Sequence, residues 1–400
     1  MGKYPSNRIV EKLKKLKEVN PFYKEKYKDI NLASVISVDD FKQTIPLIYK
    51  EEIFNKNNID KITNYVNGII YPSAGTTSNH FSFRLSPNNT NEGFNGQLID
   101  LFKTWFQVDN KKTLIINAYP LGVYFPEGPY TVVSTTTRSD IIIYLLDYIY
   151  HNYESVIILG QPHFIKHLLD LREFNELKIN RDLLKIVIGG YWFPYTFEMY
   201  LLKRLYGNNW QEKSDNIKST YGTAETGLGV LIDLPKNIRK YLYKGGINEI
   251  IPLVYMYDPQ RYYIEEVDAD LVITNLNEGD PELIRYNTKD KIAIADSEQL
   301  NKLGINIDLA SNMIYLYGRG RYKENALITH NLFYNYEYAK HITGSYYIEG
   351  ENIYLQLNKT AEKSKKMIDY YRSILDYKVV LMDYYEYKFN TSLDRKPITQ

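Results

Sequence analysis

LLKIVIGG, residues 183–190, is an apolar run that stops on two glycines. A short run of this kind, closed by glycine, fits a buried strand better than a helix. SVIILG, residues 155–160, has the same form, and KTLIINAY, residues 112–119, is a third buried-strand candidate. Helical spacing fills the intervals, including 139–152. Alternation of such strands with helices is the pattern of parallel α/β units. Ligands of these sheets sit at the carboxyl ends of the strands. Gly160, Gly189 and Gly190 are therefore candidate ligand positions.

Working outward, residues 6–30 read as helical, with Ile9, Leu13, Leu16 and Val19 on one face. A short helix is expected after Val38, capped by Asp39 or Asp40. A strand near residue 70 leads into YPSAGTTSNHFSFRLS, 71–86, and 91–107 returns to helical spacing. From about 247 the segments NEIIPLVYMYDP, RYYIEEVD, ADLVITNL and LIRYNTKDKIAIAD are strand-like, which predicts a β-rich subdomain over about 247–316. In YGRGR, 317–321, Gly318 and Gly320 read as a hinge. Beyond it a strand near 353–357, a helix near 361–375 and a strand near 377–382 make a small α+β unit. The expected fold is α/β. A large N-terminal domain, 1–318, carries mixed or parallel sheets with helices, and a small α+β domain, 319–400, lies across the hinge.

The bulk numbers narrow the function. Of 400 residues, 44% are hydrophobic and 24% charged, an ordinary balance for a globular chain that buries a core. The net charge of +1 supplies no field for nucleic acid or an anionic membrane. With no cysteine, disulfides, thiolate catalysis and thiolate-bound zinc are excluded. The first residues form a charged helical pattern, and the longest apolar stretch, 141–150, is interrupted by Asp147, so a soluble cytoplasmic protein without a membrane span is expected.

Four short motifs carry chemistry, each with a plain structural alternative. Ser73-Ala74-Gly75-Thr76-Thr77-Ser78 is either a polar turn or an anion cradle built from backbone N–H groups and hydroxyls. STYGTAETG, 219–227, sets the aromatic Tyr221 and Gly222 before Glu225. It is either a surface loop or a place to stack a purine beside a carboxylate that holds Mg²⁺ together with phosphate oxygens. RYNTKD, 285–290, ends on Asp290, a turn residue or an acceptor for two ribose hydroxyls. YGRGR is a basic linker or a working hinge.

In the order GTTS, GG, YGTAE, YNTKD, YGRGR, this series resembles the adenylate-forming superfamily of acyl-CoA synthetases and adenylation domains, whose signatures run SSGTTGxPK, GGE, YGxTE, YxTGD and GRxDDxIK. NPFYKEKYKDINLASVISVDDFKQTIPLIYKEEI, 20–53, is similar to the opening of the phenylacetate–CoA ligase branch. The resemblance covers roughly residues 10–330. It implies an ATP-dependent ligase that forms an acyl adenylate from a small carboxylic acid, then passes the acyl group to coenzyme A or to the phosphopantetheine thiol of an acyl or peptidyl carrier protein.

The resemblance also implies roles. Ser73, Thr76, Thr77 and Ser78 would cradle the β- and γ-phosphates, with Gly75 admitting close approach. Gly189, Gly190 and Tyr191 would border the adenine, and Tyr221, followed by Gly222, would stack on it. Glu225 would hold Mg²⁺, Asp290 the ribose hydroxyls, and Arg319 the ribose or phosphate. Arg321 stands at the hinge, and Lys396 is the counterpart of the C-terminal lysine that assists adenylation.

The departures are specific. SNHFSFR replaces the GxPK that carries the loop lysine, and Ala224 replaces a hydroxyl residue, leaving Thr223 to supply that hydrogen bond. Tyr191-Trp192 follow the two glycines in place of Glu. Two other readings follow: an acyl-protein synthetase-like enzyme, which would use a cysteine this chain lacks, and a catalytically degenerate nucleotide-binding protein. The aromatics of 117–130 and 190–195 are either core or the lining of an acyl pocket. His163 and His167 share a helix face with no third metal ligand in view.

Overall fold

The computed structural model describes residues 6–62, 68–72, 82–87, 94–108, 111–120, 125, 128–243, 246–277, 282–295, 297–302, 312–319 and 322–387. The chain forms two compact units. The first comprises Met1–Leu98, Thr220–Ile232 and Val254–Gly320; the second comprises Ile99–Ser219, Asp233–Leu253 and Arg321–Gln400.

The first unit opens with the helical region expected over 6–30, which is two helices, Ser6–Val19 and Pro21–Lys26. The break has a local cause. Asn20 adopts extended backbone and its side chain accepts from the N–H groups of Phe22 and Tyr23, while Pro21 fills the first helical position, where no N–H is needed. Ile9, Leu13 and Leu16 enter the core, but Val19 at the helix end is exposed. The helix Val38–Thr44 is capped by Ser37, in a reciprocal box with Asp40, rather than by an aspartate. These helices pack on a sheet of antiparallel strands that includes Tyr262–Val267, Asp270–Asn275, Tyr286–Ile294 and Met313–Arg319. Tyr263, Leu283, Ile284 and Tyr286 of this region share one core with Leu13, Phe22, Tyr27 and Phe41.

A buried ion pair pins that packing. The Arg285 guanidinium donates to both Glu265 carboxylate oxygens at 3.1 and 3.0 Å, and its third nitrogen reaches the Lys42 carbonyl at 2.6 Å. The bidentate fork fixes where the strand carrying Asp290 begins.

The second unit holds the parallel sheet. Ser155–Gly160 runs parallel to Thr113–Asn117 and to Leu184–Gly189, and Thr113–Asn117 pairs with Thr131–Ser134. Ser155–Gly160 is buried throughout, as its uninterrupted apolar run requires. The helices Pro162–Asp170 and Tyr195–Tyr206 each follow a strand of this sheet. A separate three-stranded sheet, Ile342–Glu349, Asn352–Leu357 and Lys378–Met382, has its last pair parallel, with the helix Lys365–Ile374 as crossover.

Within this unit the 322–387 segment is packed hard against the α/β part. Phe333 stands edge-on to Phe197 with ring centroids 4.5 Å apart. Lys166, 1% exposed, donates to the Ile342 carbonyl and to Asp170, both at 2.5 Å. Asn358 reaches the same Asp170 at 3.1 Å.

Candidate functional site

The first unit brings together most of the described candidate residues. The strand Ile217–Thr223 pairs antiparallel with Gly227–Asp233, with Tyr221 opposite Leu231 and Thr223 opposite Gly227. Gly222 permits this closure: a Cβ there would lie 2.0 Å from the Gly227 carbonyl oxygen, which is backbone and cannot move aside. The turn that follows sets Glu225 inward, 6% exposed. Thr223 Oγ1 accepts from Thr226 N–H at 3.2 Å and shares a hydroxyl contact with Thr226 Oγ1 at 3.0 Å, so this hydroxyl is engaged in its own turn.

Asp290 arrives from the neighbouring antiparallel strands. Lys289 before it has φ of 61°, and its N–H donates to the Asn287 side-chain Oδ1 at 2.7 Å. The Asp290 N–H is bound by Thr288 Oγ1 at 3.2 Å. Asp290 lies in register with Arg319 on the next strand, the last described residue of that strand. The Tyr221 hydroxyl donates to Asp290 Oδ2 at 2.5 Å. The aromatic residue expected beside adenine and the carboxylate expected under the ribose are thus one hydrogen-bonded pair, joined across 69 positions of sequence.

Lys50 is the residue that motif reading missed. Its Nζ lies 3.8 Å from Glu225 Oε1, and among the described residues it is the only cation within ion-pair distance of that carboxylate. Lys50 closes the IPLIYK segment, 175 positions before Glu225, and stands at the start of a short helix, Lys50–Ile53. Its position in that segment was the available signal. A buried carboxylate with one cation at long range keeps oxygen lone pairs available to a further cation. That suits a divalent ion carried in on phosphates rather than a protein-built metal centre. Among the described residues no cluster of three or more His, Asp or Glu side chains is placed to hold a metal alone.

Gly189, Gly190 and Tyr191 belong to the second unit, at the carboxyl end of Leu184–Gly189. Gly190 has φ of +81°, the left-handed region that favours glycine, and a Cβ there would meet only Gln161 at ordinary contact distance. Backbone conformation, rather than space, requires the glycine. The Tyr191 ring lies 5.3 Å from that of His163. His163 and His167 are both pushed down to about 4 by burial, which keeps them neutral, and among the described residues no third ligand stands with them to hold a metal. Of the aromatics considered for an acyl pocket, Phe125 is stacked on Phe102 at 5.6 Å, and Phe193 and Tyr195 are buried beside Arg239. These three are core.

Ser73, Gly75, Thr76, Thr77, Ser78, Arg321 and Lys396 lie outside the described residues. No helix of the described residues is long and apolar enough to cross a membrane.

No protein-family model matches the chain, and no curated protein does. Among solved structures it is similar to 2-hydroxyisobutyryl-CoA ligase, in the postadenylation state with R3-HIB-AMP. The TM-score is 0.63 and the identity 13%, covering 98% of this chain and 87% of that one. It is also similar to a fatty acyl-adenylate ligase from L. pneumophila in complex with acyl adenylate and pyrophosphate, with TM-score 0.43, 11% identity and coverage of 88% and 70%. Coronafacic acid ligase from Pectobacterium brasiliense gives TM-score 0.41, 14% identity and coverage of 72% and 59%. The first match establishes the fold. The chain is built as that ligase is, which agrees with the order of its motifs.

Proposed function

We propose that the chain is an AMP-forming acid–thiol ligase. One observation carries the reading: Asp290, far in sequence from Tyr221 and Glu225, is gathered with them in one compact unit and bonded to Tyr221, with Arg319 in register opposite Asp290. The fold match at TM-score 0.63 supports it.

In this reading an oxygen of the acid attacks the α-phosphorus of ATP, the bond to the pyrophosphate oxygen breaks, and an acyl adenylate forms. A thiol, of coenzyme A or a carrier-protein phosphopantetheine, then attacks the acyl carbon; the carbonyl–phosphate bond breaks, AMP leaves and the thiol proton passes to solvent. The first step needs positioning and charge neutralisation above all. Asp290, oriented by the Tyr221 hydroxyl, accepts the ribose hydroxyls, and Arg319 reaches the ribose or phosphate. Gly189, Gly190 and Tyr191 border the adenine. Glu225 holds Mg²⁺, whose chemistry would be to offset charge on the phosphates. Lys50 supplies a cation to a site whose phosphate loop, Ser73 to Ser78 around Gly75, lacks the usual lysine. Lys396 assists adenylation. Residues 319–400 turn about Arg321 between the steps, and the contacts that hold 322–387 on the Pro162–Asp170 and Tyr195–Tyr206 helices then belong to one of the two states.

The second reading, a nucleotide-binding protein without turnover, is favoured by Ala224 and by the engagement of the Thr223 hydroxyl with Thr226. Pyrophosphate exchange into ATP, with Mg²⁺ and a panel of aryl, fatty and amino acids, separates them. Exchange with one acid establishes adenylation and names the substrate class. ATP binding by calorimetry without exchange for any acid would support the second reading.

A further inference from the structure

At the end of Leu184–Gly189 opposite to Gly189, the second unit holds a polar cavity of about 330 Å³ whose described walls include no residue of the nucleotide motifs. Its walls include Arg181, Asp182, Arg204, Tyr206 and Lys213. Three cations face one acid there. The immediate surroundings do not redress the balance. Lys213 pairs with Asp182 at 3.0 Å. Arg204 donates through Nε to Asp170 Oδ1 at 3.1 Å, but Asp170 also receives Lys166, Tyr200 and Asn358, so one carboxylate serves two cations.

Arg181 has no carboxylate within ion-pair distance among the described residues. It is held instead by the Phe174 ring, 5.1 Å from the guanidinium, and by the Phe174 carbonyl at 3.4 Å. Lys185, beside the cavity, donates to Asn216 Oδ1 at 2.8 Å and to the Asp182 carbonyl at 3.0 Å, both neutral groups. Five cations therefore stand with two carboxylates.

Arg181 and Lys185 feel the crowding, whereas Arg204 is held above its usual value, against burial, by a hydrogen bond with Tyr336 and by Asp170. Arg181 is held below its usual value by burial and by Arg204. Lys185 is brought down to about 8 by burial and then by Lys213, against the pull of Asp182. Holding like charges together costs free energy unless an anion joins them.

We propose that this cavity is a second ligand site, distinct from the candidate nucleotide site, and that it takes a phosphate-class oxyanion. Arg181 presents a guanidinium fork suited to a tetrahedral oxyanion, while Arg204, engaged through Nε by Asp170 and through a terminal nitrogen by the Leu169 carbonyl at 3.0 Å, adds positive charge to the wall. Lys213 adds a point charge. The volume leaves room for a small organic body on the phosphate, so the ligand is free phosphate or a small phosphate monoester.

The test is calorimetric titration of the full-length protein with inorganic phosphate and, separately, glycerol 3-phosphate, against chloride at matched ionic strength. Saturable phosphate binding is expected, weakened about tenfold or more in Arg181→Gln, as loss of a charged hydrogen bond implies. Asp182→Asn, which removes the one acid in the wall, should tighten it. If glycerol 3-phosphate binds more tightly than phosphate, the ligand is a monoester; if it binds more weakly, free phosphate. Should Arg181→Gln fail to fold, Lys213→Gln takes its place. Equal phosphate binding in wild type and both cation variants, or binding no stronger than chloride, would overturn the proposal.

Discussion

Two buried glutamates, one in each unit, carry opposite lessons. Glu198 in the second unit is 3% exposed and Glu225 in the first is 6% exposed, and each has a cation near it. Glu198 is saturated. Arg239 donates to it at 2.6 Å, Asn237 donates to its other oxygen, and Arg239 is itself held by the Phe193 carbonyl at 3.2 Å and lies over two aromatic rings. Glu225 has Lys50 at 3.8 Å. Burial does not distinguish the two carboxylates; saturation does. A buried carboxylate with both oxygens bonded is fixed architecture, whereas an under-coordinated buried carboxylate costs stability unless it meets something more.

The sharpest way to break the comparison is to remove each charge in turn. Glu225→Gln should lower pyrophosphate exchange by roughly 10² to 10³-fold, the scale of losing one electrostatic contact to the reacting phosphates. Its urea midpoint should stay near wild type. Glu198→Ala should do the reverse. Leaving Arg239 buried without its partner should cost about 3–5 kcal/mol in urea unfolding, with exchange per folded molecule within about twofold of wild type. If Glu225→Gln unfolds the protein and Glu198→Ala abolishes exchange, the two assignments are exchanged.

Tyr221→Phe is a finer probe of the first unit. The ring is kept and only the hydroxyl that donates to Asp290 is lost. If that hydroxyl orients Asp290 for the ribose, KM for ATP should rise about tenfold with kcat little changed, as for loss of a charged hydrogen bond made equally in ground and transition states. A fall in kcat at constant KM would instead place Tyr221 at the reacting phosphate.

What the sequence made legible follows the range of the interaction. The strands Ser155–Gly160 and Leu184–Gly189 were readable because a parallel strand buried on both faces must be apolar throughout, and glycine marks its end. The antiparallel strands 262–294 were readable by alternation and by the turn at Asp268-Ala269, where both residues have positive φ. Asn20 and Pro21 could have revealed the helix break, since both are capping signals, but the apolar spacing ran across them. The Lys50–Glu225 approach and the Tyr221–Asp290 bond left no local trace, because neither residue's neighbours encode a partner dozens of positions away. The packing of 322–387 was hidden for the same reason. Its one clue was Lys166, a lysine on an otherwise apolar helix face in PHFIKHLLD.

How the Glu198–Arg239 pair is held shows in the pH dependence of stability. Burial, against the pull of Arg239, pushes the Glu198 carboxyl up to about 7 from an ordinary 4.5. A carboxyl with a folded value above its unfolded one binds its proton more tightly when folded. Its contribution to stability is therefore complete below about pH 4.5 and is lost as pH rises through about 7. The slope is at most about 1.4 kcal/mol per pH unit. His163, His167 and His330, each pushed down to about 4 by burial, act in the opposite sense. Their contribution is complete above about 6.5 and is lost as pH falls toward 4, so the stability curve of the wild type alone mixes the two. Glu198→Gln separates them, because the amide imitates the protonated acid at every pH and leaves the histidines in place. The variant should gain on wild type steadily between pH 4.5 and 7 in urea unfolding. Parallel curves across that window would mean that Arg239 outweighs burial and that Glu198 ionises in the fold as an ordinary carboxylate.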